Sequence, residues 1–360
     1  FRQEMDVFNV SRSTKERIHK MFTVVNRELK ELNEAHSGDL VVFTKLNDVF
    51  TGECLSTKDG YGQQAEMEFP KPQMLVAIEA LNKNDEDKIS TGIQRLREED
   101  PSFTYNRNKE TKQMVLGVQG EIHVNAIKDK LKEKFGVEVA IKDLKVPYRE
   151  TIKGTSDVQG KHKKQSGGHG QYGDVKIKFS PSSEPFEFAE EIFGGSVPKS
   201  YIPAVEKGLR DCLEHGVLAG YPVTNIKATL YDGSYHDVDS SEMAFKMAAS
   251  LAFKKGIEEA KPVLLEPVMK LSIYVPEEYM GDIMGDINKK RGRVLGMEPF
   301  KSHKQVIYAE ATQSETFKYE IDLKAMSQGS GYFEMEFVRY EEVPAQLAEK
   351  IIAEAKAEKQ

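Results

Sequence analysis

Two stretches of this chain run through the same order of secondary-structure signals, and that repeat constrains the fold more than any single motif. In the first, Met74–Ala80 reads as a strand, and Asp87–Glu99 as a helix with Ile89, Ile93 and Leu96 on one face. Pro101 stops that helix, and a hairpin follows, Phe103–Tyr105 and Gln113–Val118, turning through Asn106–Asn108. A second helix sets Val124, Ile127 and Leu131 on one side and ends at Gly136, where a left-handed cap suits glycine; Val137–Ile141 closes the unit. The second stretch opens with the strand Val268–Val275. A helix starts at Pro276 with Glu277 and Glu278 at its positive end and carries Tyr279, Ile283 and Ile287. Strands near Arg293–Met297 and Gln305–Ala311, a helix near Glu315–Met326 and a strand at Tyr332–Arg339 complete it, and a last helix begins at Pro344. Both read β-α-β-β-α-β, the ferredoxin-like order, with no matching residues between the copies.

Residues 153–262 follow another plan. Lys153–Gly160 reads as a small, polar linker. The run Gly167-Gly168-His169-Gly170-Gln171-Tyr172-Gly173 feeds a strand with Val175, Ile177 and Phe179 inward and Lys176 and Lys178 outward. A helix near Pro203–His215 buries Val205, Leu209 and Cys212, and strand Ile226–Tyr231 leads into the loop Asp232–Asp239. There Asp239 and Glu242 are spaced as a capping box for a further helix. Residues 1–58 lack helical periodicity and read as part of a β-barrel. The expected fold is α+β and multidomain. Its parts are a partial β-barrel (1–58), a ferredoxin-like domain (70–146), a mixed α/β domain with two tip loops (147–264) and a second ferredoxin-like domain (265–360).

With 360 residues, several domains are expected. No apolar run is long enough to span a bilayer and no signal peptide opens the chain, which points to the cytoplasm; a start at Phe1 reads as a fragment or a processed product. Cys54 and Cys212 lack metal-ligand spacing and read as reduced thiols. The net charge of −7 excludes a generic basic nucleic-acid binder but not local patches. Lys161, Lys163, Lys164, Lys176 and Lys178 face Asp174 alone within 161–178, and Lys289, Lys290, Arg291, Arg293, Lys301 and Lys304 face Glu298 within 289–304.

Several runs resemble elongation factor G, the translational GTPase that moves tRNA and mRNA along the ribosome. They are Val146-Pro147-Tyr148-Arg149-Glu150-Thr151-Ile152, the Gly-rich run, and Asp232-Gly233-Ser234-Tyr235-His236-Asp237-Val238-Asp239-Ser240-Ser241-Glu242-Met243. Further on stand Leu264-Leu265-Glu266-Pro267, Pro276-Glu277-Glu278-Tyr279-Met280-Gly281-Asp282, Arg291-Gly292-Arg293 and Ser327-Gln328-Gly329. The resemblance runs from late in the family's second domain to its C-terminus. Lys163-Lys164-Gln165-Ser166-Gly167-Gly168 is similar to the divergent second-copy branch. No G-x-x-x-x-G-K-S/T occurs, so the phosphate cradle of a GTPase is missing from this chain and no catalysis is assigned to it. GTP and magnesium are expected in a parent protein only.

The Gly-rich loop admits three readings. A phosphate cradle normally ends on a helix N-terminus, whereas this loop enters a strand. A tight tip needing positive φ is the second. The resemblance implies the third: Ser166, Gly167, Gly168, His169, Gly170, Gln171 and Tyr172 form one tip that enters the decoding site, where His169 replaces a common Arg. The resemblance also implies that Ser234, Tyr235, His236 and Asp237 form the other tip, beside the codon–anticodon region. His236 reads equally as a satisfied loop histidine. Lys289, Lys290, Arg291 and Arg293 end a helix, where the dipole alone favours bases; the resemblance places them, with Gln328, near large-subunit RNA, and Ser330 replaces an Arg expected there. The implied partners are ribosomal RNA, tRNA and mRNA, with a monomeric protein. Three rivals stand beside translocation: a ribosome-recycling paralogue, a ribosome protection factor and a small-molecule kinase-like enzyme.

Overall fold

A computed structural model describes residues 1–26, 28–58, 67–164, 170–301 and 303–357. The chain divides into two compact units, Phe1–Leu144 and Lys145–Gln360.

The first unit begins with short strands β1 (Met5–Asn9), β2 (Thr14–Ile18), β3 (Met21–Val25), β4 (Glu28–Leu32), β5 (Val42–Phe43) and β6 (Leu55–Ser56). They form two three-stranded sheets, β2-β1-β6 and β4-β3-β5, around Val7, Ile18 and Met21. Alternation in β1 and β2 turns Val7 and Ile18 inward. The expected partial barrel is thus two small sheets that do not close among the described residues.

Then come β7 (Met74–Ala80), α1 (Glu86–Glu99), β8 (Thr104–Arg107), β9 (Met114–Val118), α2 (Glu121–Phe135) and β10 (Val139–Lys142). The sheet order β10-β7-β9-β8, all antiparallel, is the ferredoxin-like arrangement. The helical spacing holds: α1 buries Ile89, Ile93 and Leu96, and α2 buries Val124, Ile127 and Leu131. Gly136 caps α2 at φ +64°, its N–H donating to the carbonyls of Leu131 and Lys132.

The second unit holds β11 (Arg149–Ile152), β12 (Ser156–Lys164), β13 (Gln171–Pro181), β14 (Phe186–Glu190), α3 (Ile202–Cys212), β15 (Ile226–Ser234) and α4 (Glu242–Glu259). Sheet β12-β13-β15-β14 carries both helices on one face. Val175, Ile177 and Phe179 point into that core with Leu209 and Phe245. The expected linker Lys153–Gly160 is instead largely the start of β12, paired with β13 from Ser156 onward. Its glycine is a packing device: a Cβ at Gly160 would run into the Ala248 carbonyl of α4, and one at Gly173 into that of Ala244.

The C-terminal part comprises β16 (Pro262–Pro276), α5 (Met280–Lys289), β17 (Arg293–Phe300), β18 (Lys304–Thr312), α6 (Gln313–Thr316), α7 (Tyr319–Met326), β19 (Tyr332–Glu342) and α8 (Ala345–Ala357). β19 and β18 flank β16, and β17 lies outside β18, repeating the ferredoxin-like order. β16 starts earlier than its alternation suggests because Pro262–Leu265 pairs with β11, a partner more than a hundred positions upstream in the sequence. The single helix expected over Glu315–Met326 is broken into α6 and α7; the Thr316 hydroxyl donates to the Gln313 carbonyl (2.9 Å), a local bond that competes with helix continuation.

Candidate functional site

The sheet β12-β13-β15-β14 sets both proposed tip loops at one end, between β12 and β13 and between β15 and α4. Ser166, Gly167, Gly168 and His169 lie outside the described residues. From Gly170 onward the first loop is bonded to the second. The Gly170 N–H donates to Asp239 Oδ1 (2.9 Å), and the Tyr172 N–H to the Asp239 carbonyl (2.8 Å). The Ser240 hydroxyl donates to the Tyr172 carbonyl (3.0 Å) and accepts from the His236 N–H (2.8 Å). A side-chain relay lies beneath. Ser234 Oγ donates to Asp174 Oδ2 (2.7 Å), so its single proton is committed, and the Tyr172 hydroxyl at 2.7 Å must donate to Ser234. Gln159 Nε2 donates to the other Asp174 oxygen (2.7 Å), which satisfies a buried carboxylate from both sides.

These bonds leave part of the second loop outward. Tyr235 is 47% exposed and Val238 63%. His236 lies 6.4 Å from the Tyr172 ring centroid and 3.6 Å from Asp239 Oδ2. Among the described residues no group of three or more His, Cys, Asp or Glu is placed to hold a metal. The arrangement is a braced surface suited to contact.

Asp239 does not form the expected capping box. The helix begins at Glu242, so Ser241 is its cap, with Oγ accepting from the Ala244 N–H (3.2 Å). Asp239 sits two positions too early and joins the loops instead. Sequence reading missed that role, along with Ser240 and Asp174, because the pairing partners are about 60–70 positions apart in the chain.

The outward sheet face continues from this end. Lys176 pairs with Asp232 (2.8 Å), whose carboxyl is held below its usual range by that ammonium. Tyr231 donates to Asp157 (2.6 Å), and this bond with partial burial pushes its phenol up to about 12.

The basic cluster after α5 is differently disposed. Lys290 pairs with Asp322 (2.7 Å), and Arg293 with Glu310 (2.8 Å). Arg291, at φ +56°, forms a two-pronged pair with the buried Glu266 (2.7 and 3.2 Å) and also donates to Thr312 and Ser314. These three cations are therefore engaged within the domain, while Lys289 and Gln328 are exposed, Gln328 at φ +50°.

Comparison with known proteins matches this layout. Elongation factor G domain III corresponds to residues 69–143, domain IV to 144–261 and the elongation factor G C-terminus to 263–351. A crystal structure from Thermus thermophilus superposes with a TM-score of 0.83 and 38% identity over 99% of this chain, which spans 54% of that chain. A ferredoxin-like unit, a loop-tipped α/β domain and a second ferredoxin-like unit, matched in this order along the chain, are the non-GTPase part of a translation elongation factor. The chain belongs to the elongation factor G family and carries its domains III, IV and C-terminal. No helix among the described residues is long and apolar enough to cross a membrane.

Proposed function

We propose that this chain is the ribosome-engaging part of a cytoplasmic elongation factor G-type protein that promotes movement of tRNA and mRNA. The observation that carries this reading is the bracing of two loops into one end of a sheet, Gly170 and Tyr172 on Asp239, and Tyr172 on Ser234. A contact surface that must hold a shape against RNA needs such fixed backbone; loops on a rigid scaffold supply it. The chemistry of GTP hydrolysis, with magnesium, belongs to a domain outside this chain, because the sequence has no P-loop. The part played by these residues is mechanical: the tip occupies space beside the codon–anticodon helix, and the Gly-rich loop with Tyr235 and His236 makes the contacts. Lys289 and Gln328, exposed on the C-terminal domain, support a second contact with large-subunit RNA.

The test uses the full-length parent protein in single-round translocation on programmed ribosomes. Replacing Tyr235 and His236 together by Ala is expected to slow translocation at least about tenfold, a barrier change of ~1.4 kcal/mol, with GTP hydrolysis intact. Unchanged translocation would sink the reading. Lost ribosome splitting with translocation intact would favour the recycling role that the Lys163–Gly168 run raises.

A further inference from the structure

Among the described residues the sheet that carries the tip has helices on one face only, and Asp157, Gln159, Lys161, Lys163 and Lys178 on its other face are exposed. Register fixes the residues there: Asp157 opposite Lys178, Gln159 opposite Lys176, Lys161 opposite Asp174 and Lys163 opposite Tyr172. On β15, Thr229, Asp232 and Ser234 pair with that same outward set, and Tyr231 is the extra residue of a bulge. Two tyrosines thus stand on this face with an ammonium over each ring: Lys161 Nζ is 5.5 Å from the Tyr172 centroid, and Lys178 Nζ is 4.7 Å from that of Tyr231. The acids here are already engaged. Asp232 holds Lys176, Asp157 accepts from Tyr231, and Asp174 is buried on Gln159 and Ser234. Lys161, Lys163 and Lys178 are exposed and have no carboxylate partner among the described residues.

From this we propose that this face binds single-stranded RNA, with Tyr172 and Tyr231 as stacking rings and Lys161, Lys163 and Lys178 as phosphate contacts. A protein partner would need an apolar cluster to bury, and apart from the two tyrosine rings the outward residues named on β12, β13 and β15 are all polar or charged. A duplex would hide its bases from the rings, whereas splayed bases reach them. An incoming phosphate draws each ammonium off its ring and frees that face for a base. Tyr172 and Lys178 are six positions apart on β13, about 20 Å at strand rise, which is room for a short strand running away from the tip.

The inference stands apart from the tip reading, because oligonucleotide binding to this chain needs neither ribosome nor nucleotide. The experiment is fluorescence anisotropy of a labelled oligouridine of about 12 nucleotides against the chain at low salt. Saturable binding is expected, weakened about fivefold or more by Tyr231→Ala and retained by Tyr231→Phe, which keeps the ring and loses the Asp157 bond. Lys161→Ala and Lys178→Ala are each expected to lower the salt slope by about 0.7. Circular dichroism confirms that each variant is folded. No saturable binding below about 100 µM, equal binding by Tyr231→Ala, or a duplex bound as tightly as the single strand would each overturn it.

Discussion

The relay Tyr172–Ser234–Asp174 makes the joint between the two loops measurable. Ser234→Ala removes a charge-assisted donor from a carboxylate that is only 5% exposed, leaving one oxygen without its partner, and is expected to cost about 1.5–3 kcal/mol locally. Tyr172→Phe removes a neutral bond to Ser234 and is expected to cost about 0.5–1.5 kcal/mol. The two losses do not add. Once Ser234 is gone, the Tyr172 hydroxyl has lost its acceptor, so the second substitution removes nothing further, and the double variant should fall short of the sum by about 1 kcal/mol. A multidomain chain does not unfold in one step, so global melting is the wrong assay. Hydrogen exchange of peptides covering 170–181 and 226–241 reads local opening, and the four variants close a double-mutant cycle. Strict additivity within about 0.3 kcal/mol would refute the relay and the hydroxyl directions assigned to it.

Two further outcomes rest on the C-terminal domain. Arg291→Met leaves Glu266 buried and unpaired and should destabilise this domain by about 2–4 kcal/mol, while Glu266→Gln keeps hydrogen-bonding capacity and should cost less; domain-resolved hydrogen exchange ranks them. Glu310, held by Arg339 and Arg293, has its carboxyl lowered to about 2 from 4.5. A lowered folded value means that its stabilisation is present above pH 4.5 and is lost as pH falls toward 2. The arginines are partly exposed, so solvent screening reduces the loss to about 1 kcal/mol, and Glu310→Gln should remove that slope in acid titrations followed by exchange or fluorescence. An unchanged acid slope would show that the pair contributes nothing.

Periodicity exposed the parts of the fold that are built locally. Ile89, Ile93 and Leu96, or Val175, Ile177 and Phe179, announce their element because one face is buried along a contiguous segment. The readings that failed depended on distant partners. Lys153–Gly160 reads as a linker, although Ser156–Gly160 is strand, since nothing in its composition tells that α4 will lie against Gly160. β16 looked short because its first residues pair with β11, and a strand's partner is not written in its own alternation. The same limit applies to the site. Ser234, Tyr235 and His236 are visible as an exposed loop, but Asp239 was read by its spacing to Glu242 as a cap, whereas its partner, Gly170, lies 69 positions away. The Lys289–Arg293 run illustrates the converse. A string of bases in sequence carries no information about Glu266, Asp322 and Glu310, which the fold brings back to engage three of its cations.

These distant pairings also explain how a tip can be stiff at its base. β11 belongs by sequence to domain IV, yet it forms an edge of the sheet of the C-terminal domain through Arg149–Ile152 against Pro262–Leu265. Within it the Glu150 carboxylate accepts the backbone N–H groups of Leu218, Ala219, Gly220 and Tyr221, which fixes the turn that follows α3. Tyr148 and Tyr221 pack with Leu264, Val343 and Ile351 in a small core at the same place. A hinge needs a few residues free to change their dihedrals, and this joint has ladder bonds, a satisfied buried carboxylate and a shared apolar cluster instead. The joint therefore ties the sheet of the C-terminal domain to domain IV, whose strands β13 and β15 lead to the loops that Asp239 and Ser234 hold together.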